Sequence, residues 1–164
     1  MSAKPEDISQ LSLVSLKIDG KTYFGSPDET ILDVSKRNNI EIPHLCFKEG
    51  MRPDGNCRVC MVEIEGERVL QPSCVRTITE GMVVNTMSDR VVHSQKLVLE
   101  LLTSDVSESV YNNDSELSHW SKKLQIQTSR FPAQIQEKHD TSHPAISVNL
   151  DACIQCTRCV RACR

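Results

Sequence analysis

Eight cysteines fall into two groups of four, and no other residues in the chain stand at spacings so suited to chemistry. Cys46, Cys57, Cys60 and Cys74 follow the spacing C-x10-C-x2-C-x13-C. Two thiols are close in sequence, and the other two must be brought in from either side. Thiolates are the ligands that iron in iron–sulfur clusters prefers, and four of them complete such a site. Gly50, Pro53, Asp54 and Gly55, between the first two cysteines, are turn formers. They let the backbone curl and aim N–H groups at sulfur, which stabilises a negative cluster.

The second group, Cys153, Cys156, Cys159 and Cys163, follows C-x2-C-x2-C-x3-C. That is the bacterial run for a [4Fe–4S] cluster. Two things set it apart from a finished site. In two-cluster ferredoxins the fourth cysteine of such a run serves the other cluster. The proline that usually follows is absent, and Arg164 ends the sequence. We therefore expect either a piece of a longer protein, a cluster closed by Cys163, or a site only partly liganded. The first of these is favoured.

The alternative to iron in the first group is structural zinc. Cys57 and Cys60 alone would suit either metal. Zinc sites usually combine two close pairs, however, and here Cys46 and Cys74 are each solitary. A disulfide framework fits less well still, since no secretory signal accompanies the thiols.

The words around the first group carry a resemblance. IPHLC at 42–46, GNCRVCMVEIEG at 55–66 and QPSC at 71–74 resemble the [2Fe–2S] domain that opens the large iron–sulfur subunit of NADH dehydrogenase. The same domain opens NAD-dependent formate dehydrogenase α subunits, the diaphorase part of bidirectional hydrogenases and some iron-only hydrogenases. Plant-type ferredoxins have four residues between the first two cysteines, where this chain has ten. SHPAISVNLDACIQC and CVRACR resemble formate dehydrogenase α subunits. The resemblance implies a β-grasp [2Fe–2S] ferredoxin-like domain. It also implies partners in a dehydrogenase complex: a flavin- and NAD-binding subunit and a molybdenum or tungsten catalytic domain. In NADH dehydrogenase relatives a further cluster is held by one His and three Cys. This chain has no cysteine between Cys74 and Cys153, so His93 and His119 are read as surface or packing residues.

The elements that must position these thiols are legible in part. Residues 1–10 are polar and read as a tail. The [2Fe–2S] domain is expected over 11–88. Asp19-Gly20 between apolar runs predicts a hairpin. Ser26-Pro27-Asp28-Glu29 predicts a helix start with a capping box, and Asn38-Asn39 its stop. Residues 61–65 predict a strand turning at Gly66, 68–71 a return strand ended by Pro72, and 82–84 a last strand. Strands and one helix around a cluster loop give an α+β class. Residues 89–103 predict an amphipathic helix with Val91, Leu97, Val98, Leu101 and Leu102 on one side. A polar linker follows, so that 89–147 is helix plus linker, with a short helical piece near 115–125. Residues 148–164 begin a 4Fe–4S ferredoxin-type segment.

Composition limits the rest. A net charge of −3 argues against nucleic-acid binding, and no apolar run is long enough for direct membrane insertion. Eight thiols without an export signal fit a cytoplasm-like compartment. There is no G-x-G-x-x-G, P-loop or G-x-S-x-G motif, so no catalytic site is assigned to this chain. Three readings compete: an electron-transfer module, the N-terminal piece of a catalytic formate dehydrogenase α subunit, and a zinc-stabilised interaction domain.

Overall fold

A computed structural model describes residues 13–106, 115–135 and 139–163. The tail expected at 1–10 lies outside the described residues, as does part of the expected linker. The described residues open with a hairpin of β1 (Val14–Ile18) and β2 (Lys21–Gly25). Asp19 and Gly20 turn with φ of 48° and 82°, the doubly left-handed geometry of a two-residue hairpin. Aspartate adds a second function there. Its carboxylate accepts from the amide of Thr86 at 2.8 Å and from its hydroxyl at 2.6 Å, tying the turn to the far end of the domain.

Helix α1 (Ile31–Arg37) starts four residues later than Ser26-Pro27 suggests. The N-cap is Thr30, and Asp33 completes a capping box with it. Glu29 does reach back to the amide of Ser26 at 2.8 Å, as a capping-box glutamate would. Tertiary pairing decides the outcome. The Ile31 amide donates to Arg76 O, the Ile78 amide donates to Glu29 O, and Thr30 bridges Thr77. These bonds hold Thr30 extended, so the helix begins only after it. Asn38 caps the helix, and Asn39, at φ 57°, ends it.

The remaining strands are β3 (Met61–Ile64), β4 (Gln71–Pro72) and β5 (Met82–Asn85). The sheet order is β2-β1-β5-β3-β4, with β1 and β5 parallel and the other pairs antiparallel. A hairpin, a helix across the sheet and a central parallel pair make the β-grasp topology. The return strand is shorter and later than expected: Arg68–Leu70 lie outside it, and Pro72 sits in the strand opposite Met61. β4 is an edge strand, where a missing amide hydrogen is tolerated.

Two apolar cores result. The first joins Leu16, Ile18, Ile31, Leu32, Val34, Val62, Ile78 and Val84 between sheet and α1. The second gathers Leu45, Val59, Leu99 and Leu117 with Trp120 and Ile154. Its helices are α2 (Asp89–Asp105) and α3 (Glu116–Lys123). The buried stripe of α2 is Val91, Gln95 and Leu99, whereas Leu101 is 43% exposed. The buried face thus follows only in part the one its apolar spacing predicts. Gln95 has no place in an apolar pattern, but its amide donates to Met61 O at 3.0 Å and so satisfies β3. His93 and His119 are exposed, as expected of surface residues. An exposed hairpin of β6 (Asp140–His143) and β7 (Ile146–Val148) leads to a single 3-10 turn at Leu150–Ala152 and then to α4 (Arg158–Ala162). Among the described residues, no helix is long and apolar enough to cross a membrane.

Candidate metal centre

The first four cysteines lie at the seam between the two cores. Cys60 and Cys74 are buried in the first, while Cys57 packs against the second. Leu45, just before Cys46, and Val59, just before Cys60, anchor the loop into the second core. On the other side the Ser73 amide donates to Cys60 O at 2.9 Å and the Leu32 amide to Ser73 O at 3.0 Å. These bonds fix the two buried thiols to β3 and α1.

The loop between Cys46 and Cys57 turns on left-handed residues. Gly50 has φ 78° and Gly55 φ 60°. A Cβ on Gly55 would sit 3.3 Å from a Val75 methyl, so the position favours glycine twice over. Arg58, between Cys57 and Cys60, is also left-handed at φ 58°. It reverses the chain so that both sulfurs of this pair face inward.

The thiols meet pairwise: Cys46 with Cys57, Cys46 with Cys74, and Cys60 with Cys74. The Cys46 amide donates to Cys57 Sγ at 3.3 Å, and the amides of Asn56 and Cys57 point to the Cys46 sulfur. Hydrogen bonds from the thiols of Cys57 and Cys74 hold Cys46 well below the usual thiol range. Cys60 is lowered to about 7, chiefly by the Cys74 thiol. Their donors shift the other way. Cys57 is raised by its bond to Cys46 and by burial, and Cys74 by its bonds to Cys46 and Cys60 and by burial. The site thus favours thiolate at two positions and stores protons at the other two.

This donor set fits a two-iron cluster. Each iron of a [2Fe–2S] centre takes two thiolates, and the connected contacts Cys46–Cys57, Cys46–Cys74 and Cys60–Cys74 bring four together. The inward amides suit a cluster that carries negative charge.

Cys153, Cys156, Cys159 and Cys163 lie on the 3-10 turn's end, the following loop and α4. Cys153 and Cys156 are half-buried, and Cys159 and Cys163 exposed. Gln155 and Thr157, at φ 54° and 61°, alternate with the cysteines and curl this loop as Arg58 curls the first. The run docks directly on the first loop. Asn56 donates to Gln155 O at 2.8 Å, Arg158 to Phe47 O at 2.8 Å, and Arg161 to Arg52 O at 2.7 Å and to Cys46 O. Arg158 also pairs with Glu116 of α3, so the stretch expected as a plain linker takes part in holding the run. The sequence does not mark Asp54, Arg158 or Arg161 as site residues. Their contacts join distant parts of the chain and leave no local pattern.

Comparison with known proteins agrees with this geometry. A family model described as a 2Fe-2S iron-sulfur cluster binding domain matches residues 12–89. The chain is 35% identical over 163 residues to the NADP-reducing hydrogenase subunit HndD of Solidesulfovibrio fructosivorans, covering 93% of this chain and 28% of that protein. It is 32% identical to an NADH-quinone oxidoreductase subunit of Rhizobium meliloti, covering 92% of this chain and 18% of that one. A solved NAD+-reducing [NiFe]-hydrogenase chain, in the H2-reduced state, superposes with a TM-score of 0.82 at 28% identity, over 91% of this chain and 65% of that one. The chain thus spans under a third of the length of these two curated relatives. By fold, cysteine pattern and family match together, residues 12–89 are similar to the 2Fe-2S iron-sulfur cluster binding domain family.

Proposed function

We propose that this chain is an electron-relay module of a multi-cluster oxidoreductase. Cys46 and Cys57 would hold one iron of a [2Fe–2S] cluster, and Cys60 and Cys74 the other. Cys153, Cys156 and Cys159, with Cys163 as the least secure fourth ligand, would hold a [4Fe–4S] cluster. Such clusters supply one-electron oxidation and reduction. The protein's part is to hold the thiolates, exclude water at the seam and offer amides to the sulfurs. The observation that carries this reading is the pairwise meeting of four thiols from two separate loops, the α1–β3 and β4–β5 connections, between two cores. The partners that suit the resemblance are a flavin- and NAD-binding subunit and a catalytic domain for formate, NADH or hydrogen. The free thiols support a reducing, cytoplasm-like compartment.

A second reading has its own support. The chain covers 28% and 18% of two relatives, so it also suits the electron-entry or exit segment of a larger catalytic polypeptide. The downstream reading frame separates the two.

Anaerobically prepared protein should be brown and, once reduced, should give a one-electron [2Fe–2S] EPR signal. Cys57→Ser and Cys60→Ser should each abolish or reshape it. Unchanged signals in both variants would defeat the ligand assignment. Bound zinc without acid-labile sulfide would establish the zinc-stabilised domain instead.

A further inference from the structure

Among the ion-paired side chains of the described residues, Arg161, between Cys159 and Cys163, is the least exposed. Its side chain is only 6% exposed, although it lies on a short terminal helix. Its guanidinium donates to the backbone oxygen of Cys46, to Arg52 O at 2.7 Å and to Cys156 O at 3.4 Å. Its Nε stands 3.3 Å from a carboxylate oxygen of Asp54, which is itself partly shielded. This ion pair lacks hydrogen-bond alignment at Nε, so the guanidinium keeps most of its donors for carbonyls. One buried cation therefore touches a cysteine of each group. No local feature of α4 calls for it, since a five-residue helix could leave an arginine in solvent.

A buried cation costs desolvation unless neighbouring groups compensate. Here three carbonyls and one carboxylate do so. The carbonyls carry no net charge, and Asp54 offsets the cation only in part at 3.3 Å. A residual positive field falls on the Cys46 side of the first site. Reduction adds one negative charge to a cluster there, and a nearby cation in a low-dielectric setting favours that state. Arg161 also fixes where the second run sits relative to the first, because its bonds to Cys46 O and Cys156 O share one rigid plane.

From this geometry we infer that Arg161 is a positioning residue that joins the two cysteine sites and biases the first toward its reduced state. This rests on the reading that Cys46, Cys57, Cys60 and Cys74 hold a [2Fe–2S] cluster. The two can be tested apart. Absence of that cluster from wild-type holoprotein would remove the parent reading, and the inference with it. Presence of the cluster leaves the inference to stand or fall on its own measurement.

The measurement is an EPR-monitored redox titration of holoprotein with dithionite as electron donor, on wild type, R161Q, R161K and D54N. Arg161→Gln should make reduction about tenfold less favourable, a fall of about 59 mV for a one-electron couple. Arg161→Lys keeps the charge and should recover most of that fall. Asp54→Asn removes the opposing charge and should shift the midpoint the other way. A purely structural role predicts no such opposed signs. If R161Q could not hold its cluster, R161K and D54N would still decide the matter. An unchanged R161Q midpoint in cluster-replete protein would overturn the inference. So would R161K as low as R161Q, or D54N moving in the same direction as R161Q.

Discussion

At the scale of single residues, the first site is a small proton store. In the metal-free chain Cys46 and Cys60 are held below the ordinary thiol range, while Cys57 and Cys74 are held above it. The consequence for stability has two signs. A lowered thiol is ionised in the fold while still protonated in the unfolded chain, so its contribution grows as pH rises toward about 8.5, the unfolded thiol value. A raised thiol keeps its proton while the unfolded chain loses one, so its contribution is lost as pH rises beyond that value. Apo-protein should therefore be most stable near pH ~8.5 and lose stability on both sides. Thermal unfolding of metal-free protein across pH checks this, and replacing all four cysteines by serine should flatten the curve. A monotonic profile in the native apo-protein would count against the pairing of thiols described above. The identity of the four cysteines is legible from spacing alone. Their unequal proton affinities are not, because these depend on which sulfur donates to which.

Among the elements, α1 shows how two signals compete. The segment SPDETILD contains two successive capping boxes, Ser26 with Glu29 and Thr30 with Asp33. The glutamate's bond of the first forms beside the complete second, but only the second opens a helix. The backbone bridge to residues 76–78 makes the choice, and nothing within the segment encodes it. Thr30→Ala should therefore cost about 1 kcal/mol of domain stability, as for other N-caps. Ser26→Ala should cost clearly less, since the Glu29 bond uses the Ser26 amide rather than its hydroxyl. Denaturant melts of the two variants compare them directly. Signals that are local survive into the fold. Asp19-Gly20 and Gly66 turn where expected, each with a left-handed glycine. The face of α2 follows its apolar spacing only in part: Val91 is buried and Val98 and Leu102 pack on the second core, but Gln95 is buried for its hydrogen bond and Leu101 is exposed. Short strand β4 departs from expectation because an edge position excuses Pro72, and sequence alone does not mark an edge.

For the whole molecule, the important feature is that the second cysteine run is docked on the first loop rather than tethered beyond it. That contact is invisible in the sequence, as it is made by asparagine and arginine side chains to distant carbonyls. For the [4Fe–4S] cluster proposed here, ligand supply is less complete than docking. Cys163 is exposed at the end of α4, and in two-cluster ferredoxins the corresponding thiol serves the other cluster. The 164-residue chain should thus carry substoichiometric, oxygen-sensitive [4Fe–4S] beside a better-retained [2Fe–2S] cluster. Three thiolates leave one iron open, and loss of that iron would give a [3Fe–4S] signal. Cys163→Ala should change cluster content little, whereas Cys156→Ala should remove the second cluster. Iron and sulfide analysis with EPR reads both. A full-occupancy [4Fe–4S] cluster that depends on Cys163 would show that the run completes its own site.

The parallel pairing of β1 with β5 has a kinetic meaning. Leu16 stands opposite Met82, so the centre of the sheet cannot zip until the chain between them has been gathered. The hairpin before it can form on its own within about 1–10 μs. The parallel pair must first meet the entropy of closing a long loop, which is the slow kind of contact in folding. All four cysteines of the first site lie inside that loop. A chain emerging from a ribosome would therefore present its thiols before the sheet that shelters them exists. During that interval they are open to oxidation or to the wrong metal, and assembly of the site becomes a race between loop closure and capture.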